Sequence, residues 1–208
     1  MKKLIIAVLL GVMAIPSMAQ EWRVGATAGV NVNAPSGDYT GQTGFNIGVK
    51  AELGLPKATK GWFMDFGALL SSHGWKSTGY YDNTTATGLK WNAAPYYLNI
   101  PIHAGYKFHC GDNFKLFASA GPYISIGLFG KETMTATLAG TSTTTTASNN
   151  VFADKAQERF DWGLGFRVGA ELYNHWQLSV GYDWGMKSVF KGVDMRNRTL
   201  SVSCSYVF

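Results

Sequence analysis

The end of the chain is the sequence feature that most constrains its fold. Residues 200–206 alternate apolar and hydroxyl side chains, and the chain stops on Tyr206, Val207 and Phe208. Successive side chains of a β-strand point to opposite faces, so this segment has one apolar face and one polar face. Such an aromatic ending is unusual in a water-soluble domain. It is typical of the last strand of a transmembrane β-barrel, whose aromatic side chains lie at the membrane interface. A final strand of a soluble β-sandwich is the alternative at this point.

The beginning of the chain has the pattern of a secretory signal peptide. Lys2 and Lys3 precede an apolar run over residues 4–15, and Ala19 ends a small-residue cleavage site. The apolar run is shorter than the roughly 20 residues with which a helix crosses a bilayer. We therefore expect residues 1–19 to be removed and residues 20–208 to form one barrel domain. Loss of the two lysines lowers the formal charge from +5 to +3, and no basic patch indicates a nucleic acid.

Eight segments of the chain show the alternation expected of membrane-crossing β-strands. Each runs for about ten residues, the length that a tilted strand needs to cross the hydrocarbon layer. The segments are residues 22–32, 45–55, 62–70, 96–106, 116–126, 160–172, 176–186 and 200–208. Their apolar faces carry aromatic and branched side chains, and their other faces carry glycine, hydroxyl and charged side chains. Pro101 and Pro122 fall inside two of them and suggest local bulges.

The connections between these segments alternate in length. The short connections are residues 56–60, 109–113 and 173–175, and the long ones are residues 33–42, 73–92, 129–158 and 188–195. Bacterial outer-membrane barrels have short periplasmic turns and longer extracellular loops, whereas a Greek-key sandwich has no reason to alternate in this way. The sequence therefore predicts an all-β fold, an eight-stranded antiparallel up-and-down transmembrane β-barrel. Both termini are then expected in the periplasm and the long loops outside the cell.

Several motifs, taken in order, resemble the PorT-like outer-membrane β-barrel family. Residues 97–101, Tyr-Leu-Asn-Ile-Pro, are similar to its Y-L-x-I-P strand, and residues 120–123, Ala-Gly-Pro-Tyr, are similar to its A-G-P-Y strand. Residues 160–163 and 169–172 resemble its sixth strand, and the last four residues resemble its ending. The resemblance spans nearly the whole mature chain and implies the outer membrane of a Gram-negative bacterium. Most members of that family have no assigned activity and a few are implicated in protein secretion, so it implies no particular mechanism.

The inward faces of the segments carry charges of both signs. The bases are Arg23, Lys50, Lys107, Lys115, Arg167 and Lys187, and the acids are Glu52, Asp65, Glu171 and Asp183. An eight-stranded barrel has room inside only for side chains, and lone charges in so narrow a space are costly. We therefore predict ion pairs across the lumen, with Tyr97, Phe117 and Tyr123 adding bulk. Arg167 is the expected centre because its planar guanidinium can bridge two carboxylates. Its partners are left open among the four acids.

The four histidines give little support to catalysis or metal binding. His109 and His175 fall in short turns, His103 faces the lumen, and His73 lies at the outer rim near Ser71. The sequence contains no histidine or cysteine motif with the usual spacing of metal ligands. An enzyme would need a nucleophile, a base and an orienting group near that rim, and the sequence assigns no carboxylate to His73. The sequence therefore predicts no enzyme, no cofactor and no metal site.

The two cysteines are not expected to form a disulfide, although the periplasm is oxidising. Cys110 falls in the turn between the fourth and fifth segments, and Cys204 lies on the apolar face of the last one. Those strands lie nearly opposite each other in an eight-stranded ring. They are therefore much further apart than the roughly 7 Å between Cα atoms that a disulfide allows. Two free thiols are predicted.

Two of the long connections carry the candidate surface for a partner. Trp75, Tyr80, Tyr81 and Trp91 lie in the second connection, where they form either a ligand-stacking patch or a continuation of the strands above the membrane. Residues 133–148 of the longest connection are rich in threonine and serine. This composition favours a mobile, solvated loop, with an exposed adhesive surface as the alternative.

Two classes of function stay open at this stage. The first is a small structural or interaction barrel at the cell surface, with a filled lumen and exposed loops. The second is a narrow pore or ligand conduit across the outer membrane, and a membrane-embedded enzyme is a distant third. The expected partners are outer-membrane lipid and, through the strand ending at Phe208, the outer-membrane assembly machinery. The surface ligand stays open, and neither a cofactor nor a nucleic acid is expected.

Overall fold

All eight predicted segments lie on β-strands in the computed structural model, which describes residues 21–37, 39–57, 60–77, 79–82, 87–138, 144–152, 157–190 and 192–208. The expected signal peptide, residues 1–19, lies outside the described residues. The strands of the described part are, in chain order, β1 (Glu21–Asn33), β2 (Tyr39–Lys57), β3 (Lys60–Ser72), β4 (Trp75–Ser77), β5 (Tyr80–Asp82), β6 (Thr87–Gly111), β7 (Phe114–Leu138), β8 (Thr144–Asn150), β9 (Phe160–Leu172), β10 (Trp176–Phe190) and β11 (Val193–Val207).

Eight of these strands close into a ring. Strand β1 pairs with β2 on one side and with β11 on the other, so the first and last strands of the chain are neighbours. The remaining pairs are β2 with β3, β3 with β6, β6 with β7, β7 with β9, β9 with β10 and β10 with β11, all antiparallel. The predicted eight-stranded up-and-down barrel is confirmed.

The two ends of the barrel differ in how the strands are joined. At the lower end, as we name it, β2 and β3, β6 and β7, and β9 and β10 are separated by only two or three residues. The described chain also begins and ends there, at Glu21 and Phe208. At the upper end several strands continue beyond the ring, and β6 and β7 reach 25 residues each.

The upper extensions correct the expectation of a mobile loop at residues 133–148, and in the second long connection they favour the continuation of the strands. Strands β4 and β5 pair with β6, and β8 pairs with β7, so the second and third long connections are largely β-hairpins. The described parts of residues 133–148 lie on β7 and β8 rather than in a mobile loop. Threonine is β-branched and favours the strand conformation, so a polar composition here does not prevent sheet formation.

The barrel is apolar outside and polar inside. Val24, Val168 and Val180 face outward and are each about half exposed, whereas Gly181 on the neighbouring position faces inward. The inward positions carry buried serine, threonine, asparagine and charged side chains. This is the reverse of a water-soluble protein and suits a wall that is solvated by lipid. Among the described residues, no helix is long and apolar enough to cross a bilayer.

Aromatic side chains form a belt on the outer face near each end of the barrel. The lower belt includes Trp22, Trp62, Tyr106, Phe108 and Trp176, and the upper belt includes Phe45, Tyr96, Phe129, Phe160 and Trp184. Aromatic rings collect at the two membrane interfaces because they combine an apolar body with an edge that tolerates water. The two belts therefore mark the borders of the hydrocarbon layer on this barrel.

The bulges predicted at Pro101 and Pro122 are wrong. Both prolines stay in register with their ladder partners, and the register shifts between β6 and β7 lie at other positions. The ring of Pro101 sits against Gly67, where an added Cβ would come within 3.0 Å of the proline Cγ. The small neighbour therefore accommodates the inward proline without an extra residue in the strand.

Candidate functional site

The lumen of the barrel is filled in three layers between its lower and upper ends. We name the lowest layer the lower cluster, and it consists of Arg23, Lys50, Glu52, Lys107, Lys115, Glu171 and Gln177. A polar cavity lies above it, and an aromatic cluster closes the upper end. These three layers contain most of the charges and aromatic groups that the sequence places inside.

Lys107 lies at the centre of the lower cluster. Its Nζ is 2.6 Å from Glu52 Oε2 and 2.7 Å from Glu171 Oε2, so one ammonium joins two carboxylates. Gln177 Nε2 donates to the same two groups, to Glu52 Oε1 at 2.7 Å and to Glu171 Oε2 at 2.8 Å. All four side chains are at most 2% exposed. Buried charges are stable only when they are paired and hydrogen-bonded, and this arrangement meets both conditions.

Three further bases surround the same two carboxylates. Arg23 Nη1 is 3.1 Å from Glu171 Oε2, Lys115 Nζ is 3.4 Å from Glu171 Oε1, and Lys50 Nζ is 3.0 Å from Glu52 Oε1. The two carboxylates are thus shared among four cations, and the lower cluster is positive as a whole.

The turn between β9 and β10 closes the cluster from below. Tyr173 and Asn174 have positive φ angles of 51° and 62°, a conformation that asparagine adopts more readily than most residues. The Asn174 carbonyl oxygen accepts a hydrogen bond from Arg23, and its side-chain oxygen accepts one from Lys115. The chain itself therefore covers the lower mouth of the lumen.

Two aromatic rings support the lower cluster from within the barrel. Phe63 and Phe117 pack edge to face with centroids 6.2 Å apart, and Lys107 Nζ lies 4.9 Å from the centre of the Phe63 ring. Inward glycines make room for them, because a Cβ on Gly105 would come within 2.7 Å of Phe63 and one on Gly169 within 2.6 Å of Phe117. Phe117 was among the predicted bulky residues. Phe63 was missed, although it shares the inward phase of its strand.

The prediction that Arg167 is the centre of the network is wrong. Its Nη1 makes an ion pair of 3.8 Å with Asp65 Oδ2, and its side chain is 17% exposed. Arg167 and Glu171 share a face of β9, but four residues of strand separate them by about 13 Å. The carboxylates of the lower cluster therefore lie at the level of Lys107 rather than of Arg167.

Two other predicted charges also lie apart from the lower cluster. Lys187 pairs with Glu158 at 3.0 Å near the upper rim, where the lysine side chain is 33% exposed. Asp183 accepts a hydrogen bond from Asn99 Nδ2 at 3.3 Å and faces the middle of the lumen. Lys50 Nζ is also 3.3 Å from Asp65 Oδ1, so the ionic network continues upward from the lower cluster through Asp65 to Arg167.

A small polar cavity occupies the middle layer. Its walls carry the charged groups of Lys50, Asp65, Arg167 and Asp183 together with serine and threonine hydroxyls. The centre of a water molecule can occupy about 40 Å³ of it, which is room for about three waters. His103 is fully buried nearby, beside Gly165, where an added Cβ would come within 2.6 Å of its Nε2. The cavity is therefore wide enough to hold water.

Aromatic and apolar side chains close the upper end of the lumen. Trp75 is 1% exposed and packs edge to face against Tyr39, Trp91 and Phe190, with centroids 5.3, 5.3 and 5.7 Å away. The cluster continues through Tyr97, Val151, Phe152, Val189 and Met195. Of the two alternatives for Trp75, its position on β4 and its burial favour the continuation of the strands over an exposed stacking patch.

The other three residues of that candidate patch are Trp91, Tyr80 and Tyr81. Trp91 is half-buried against the same aromatic cluster, since its strand extends β6 above the barrel. The backbone of Tyr80 and Tyr81 lies on β5, and their side chains are outside the described residues. The rings that pack together with Trp91 are Trp75 of β4 and Phe190 of β10, and this proximity depends on the pairing of strands that are distant in sequence.

A serine and a histidine meet below the aromatic cluster. His73 Nε2 is 3.2 Å from Ser71 Oγ, which also accepts a hydrogen bond from Asn31 Nδ2 at 2.8 Å. The histidine ring stacks on Tyr97 at 4.9 Å, and both His73 and Ser71 are at most 3% exposed. His73 Nδ1 has no hydrogen-bond partner among the described residues, so no group orients the ring for catalysis. The geometry fits a packed, sequestered pair.

Other reactive groups in the described part of the chain are isolated. His109 and His175 lie at the lower end, where His175 Nδ1 is 2.8 Å from the Val207 carbonyl oxygen. Cys110 and Cys204 are free and exposed, as predicted. No group of three or more histidine, cysteine, aspartate or glutamate side chains in this part of the chain could hold a metal ion.

The sequence of this closed ring, with its apolar outer wall and polar interior, matches the model of a known protein family. The family model described as outer membrane protein beta-barrel domain matches residues 18–191. The chain belongs to this family. As a member of the outer membrane protein beta-barrel domain family, it resides in the outer membrane of a Gram-negative bacterium, in contact with lipid. The narrower resemblance to PorT-like proteins stays a prediction.

Solved structures of three bacterial barrels are similar to this outer membrane β-barrel. Neisserial surface protein A is 16% identical with a TM-score of 0.44, over 91% of this chain and 99% of that one. Ail, the attachment invasion locus protein of Yersinia pestis, in complex with the heparin analogue sucrose octasulfate, is 14% identical with a TM-score of 0.38, over 90% and 99%. OprG from Pseudomonas aeruginosa is 8% identical with a TM-score of 0.41, over 90% and 95%. No curated protein matches the chain.

Proposed function

We propose that this protein is a closed, non-conducting outer membrane barrel that presents its upper β-hairpins as an interaction surface at the cell surface. The observation that carries this proposal is the filled lumen. The lower cluster and the aromatic cluster each cross the interior, and both are almost fully buried. A role in structure or interaction uses the outer surface and the hairpins, and it does not require passage through the barrel.

The interior geometry gives less support to the alternative function, a narrow pore across the outer membrane. A solute would have to separate Lys107 from both of its carboxylate partners and then displace Trp75 from three aromatic neighbours. Each of these steps breaks contacts between groups that are buried in the barrel interior, which is costly. The Ser71–His73 pair lies beneath the same aromatic cluster, which supports a non-catalytic role.

The orientation in the membrane is part of the proposal. The lower end, with its short turns and both ends of the described chain, lies in the periplasm, and the hairpins of the upper end lie outside the cell. This placement follows the general pattern of bacterial outer-membrane barrels. The aromatic residue Phe208 then follows the last residue of β11 at the periplasmic border, where the assembly machinery would engage it during insertion.

Bilayer recordings test the closed lumen. Purified wild-type protein, shown to be folded by heat-dependent gel migration, is expected to give no steady single-channel current. Trp75→Ala should also stay silent, because the lower cluster still crosses the lumen. Steady, ion-selective currents from the wild-type protein would contradict the proposal and favour a pore.

A further inference from the structure

A depression on the outer wall joins the upper aromatic belt to the β7–β8 hairpin. It has a volume of about 700 Å³ and is lined by Tyr96, Phe129, Lys131, Asn149 and Asn150 with their neighbours. We name it the belt pocket. It lies on the lipid-facing side of the wall, separate from the three layers of the lumen.

The lower half of the belt pocket is aromatic. Tyr96 and Phe129 pair across the β6–β7 ladder, and their rings stack with centroids 4.9 Å apart at an angle of 27°. Phe129 has a large apolar side chain, yet 52% of it is exposed. A flat pair of a half-buried Tyr96 and an exposed Phe129 at the border of the hydrocarbon layer is a surface on which the first part of an acyl chain packs.

The upper half of the belt pocket is polar and cationic. Lys131 is exposed and pairs across the ladder with Asn150, so both side chains leave the sheet on the outer face. Glu132 belongs to the opposite face of the sheet, since its ladder partner is the buried Ala93. Among the described residues that line the belt pocket, the outer face therefore offers an ammonium and amides and no carboxylate.

The same outer face stays polar further from the membrane. Thr133 pairs with Asn92, and Thr135 pairs with Lys90, on the two rows that follow Lys131. Rows on one face of a strand are spaced by about 6.6 Å, so the polar stretch continues for roughly 13 Å beyond Lys131. This depth exceeds a simple phosphodiester headgroup and suits a phosphorylated saccharide.

We propose that the belt pocket binds the phosphorylated glycolipid of the outer leaflet. An acyl chain packs on Tyr96 and Phe129, Lys131 and Asn150 hold a phosphate, and the threonine rows face the sugar hydroxyls. Charge-assisted hydrogen bonds to phosphate are among the strongest polar contacts at a surface. The assignment rests on the proposed orientation, which places the upper end in the outer leaflet, and it does not depend on a closed lumen.

A second outer depression shows what the wall looks like without such a site. It is lined by Phe108, Leu116, Val168, Leu178 and Val180, and no charged side chain contributes to it. Acyl chains of any lipid fit a surface of that kind. The combination of stacked rings with a lysine and amides is the feature that separates the belt pocket from it.

Lipid titration of the mature protein in detergent micelles, followed by native mass spectrometry, tests the proposal. The probes are bisphosphorylated lipid A, its dephosphorylated form and phosphatidylglycerol. We expect wild-type protein to prefer bisphosphorylated lipid A over both others, and Lys131→Gln to weaken that binding about tenfold. The matched control is Lys60→Gln, an exposed lysine at the lower end, which should bind like wild type.

Three outcomes would overturn the assignment. These are unchanged binding by Lys131→Gln, equal affinity for the dephosphorylated lipid, and equal affinity for phosphatidylglycerol, which would indicate a general site for anionic lipid. Binding in micelles does not depend on orientation. A barrel that binds lipid A in this way but has its hairpins in the periplasm would therefore refute the orientation and leave the chemistry of the pocket standing.

Discussion

Lys107 is the residue on which the lower cluster depends most. It is the cation nearest to both buried carboxylates, at 2.6 and 2.7 Å, and it also lies over the Phe63 ring. Arg23, Lys50 and Lys115 reach the same acids at 3.0 Å or more. Loss of one partner of a buried ion pair is costly because the remaining charge has no equivalent hydration.

We expect Lys107→Met to lower the free energy of unfolding by about 3–5 kcal/mol, since it leaves Glu52 and Glu171 with weaker partners in the barrel interior. Arg167→Met is the matched control. That arginine makes a longer ion pair of 3.8 Å with Asp65, which keeps Lys50 as a partner at 3.3 Å, so its removal should cost less than that of Lys107. Denaturant unfolding of both variants in lipid vesicles measures the two effects. A larger cost for Arg167→Met would show that the cluster is centred on the arginine after all.

At the scale of single elements, β10 offers a direct test of which face meets the lipid. Val180 points outward and pairs with Val202 and Val168 on the neighbouring strands. Val180→Arg should destabilise the folded barrel by about 2–4 kcal/mol if it lies near the bilayer midplane, and it should impair insertion.

Gly181→Ser is the control on the same strand. An added Cβ there would approach Ser201 Oγ at 2.9 Å and Arg167 Cγ at 3.1 Å. The serine hydroxyl can rotate away, and the arginine stem has to shift by only a few tenths of an ångström. We therefore expect a mild effect in a lipid-folding assay. Equal tolerance of both substitutions would contradict the assignment of inside and outside on this strand.

The faces of the strands could be predicted from sequence, but the contacts between strands could not. Period-two alternation assigns Glu52, Lys107 and Glu171 to the lumen without any knowledge of the fold. Which of these groups meet depends on the stagger of the strands, and this places Arg167 one level above the carboxylates. Alternation within one segment carries no information on stagger.

The upper end was harder to predict for a related reason. The positions of Trp75 and Trp91 fit a loop patch or a strand extension equally well in the sequence. Their burial arises from contacts with Tyr39 and Phe190, which lie on other strands. The threonine-rich stretch likewise becomes a hairpin because β7 offers β8 a partner edge.

At the scale of the whole molecule, the orientation of the barrel can be tested by cysteine labelling of intact cells. Ala147 is exposed on β8 at the upper end, and Cys110 is exposed at the lower end. A bulky maleimide that does not cross the outer membrane should label an Ala147→Cys variant that also carries Cys110→Ser. The wild-type Cys110 should react only after the membrane is permeabilised.

The reverse labelling pattern would place the hairpins in the periplasm. Cys204 faces the lipid on β11, so its reaction in folded protein should be slow in both states and provides an internal reference. Labelling of Ala147→Cys in permeabilised cells alone would therefore refute the proposed orientation.

The lower cluster also links barrel closure to charge neutralisation. Arg23 comes from β1, Glu52 from β2, Lys107 from β6, and Glu171 from β9. The first strand is fixed in place by its ladder with β11, the last strand to be made. A partly closed sheet would hold Arg23 away from Glu171 and leave unneutralised charges facing a half-open, poorly hydrated interior. The same contacts that block the finished lumen thus penalise incomplete sheets, and we expect the strands of this wall to fold cooperatively.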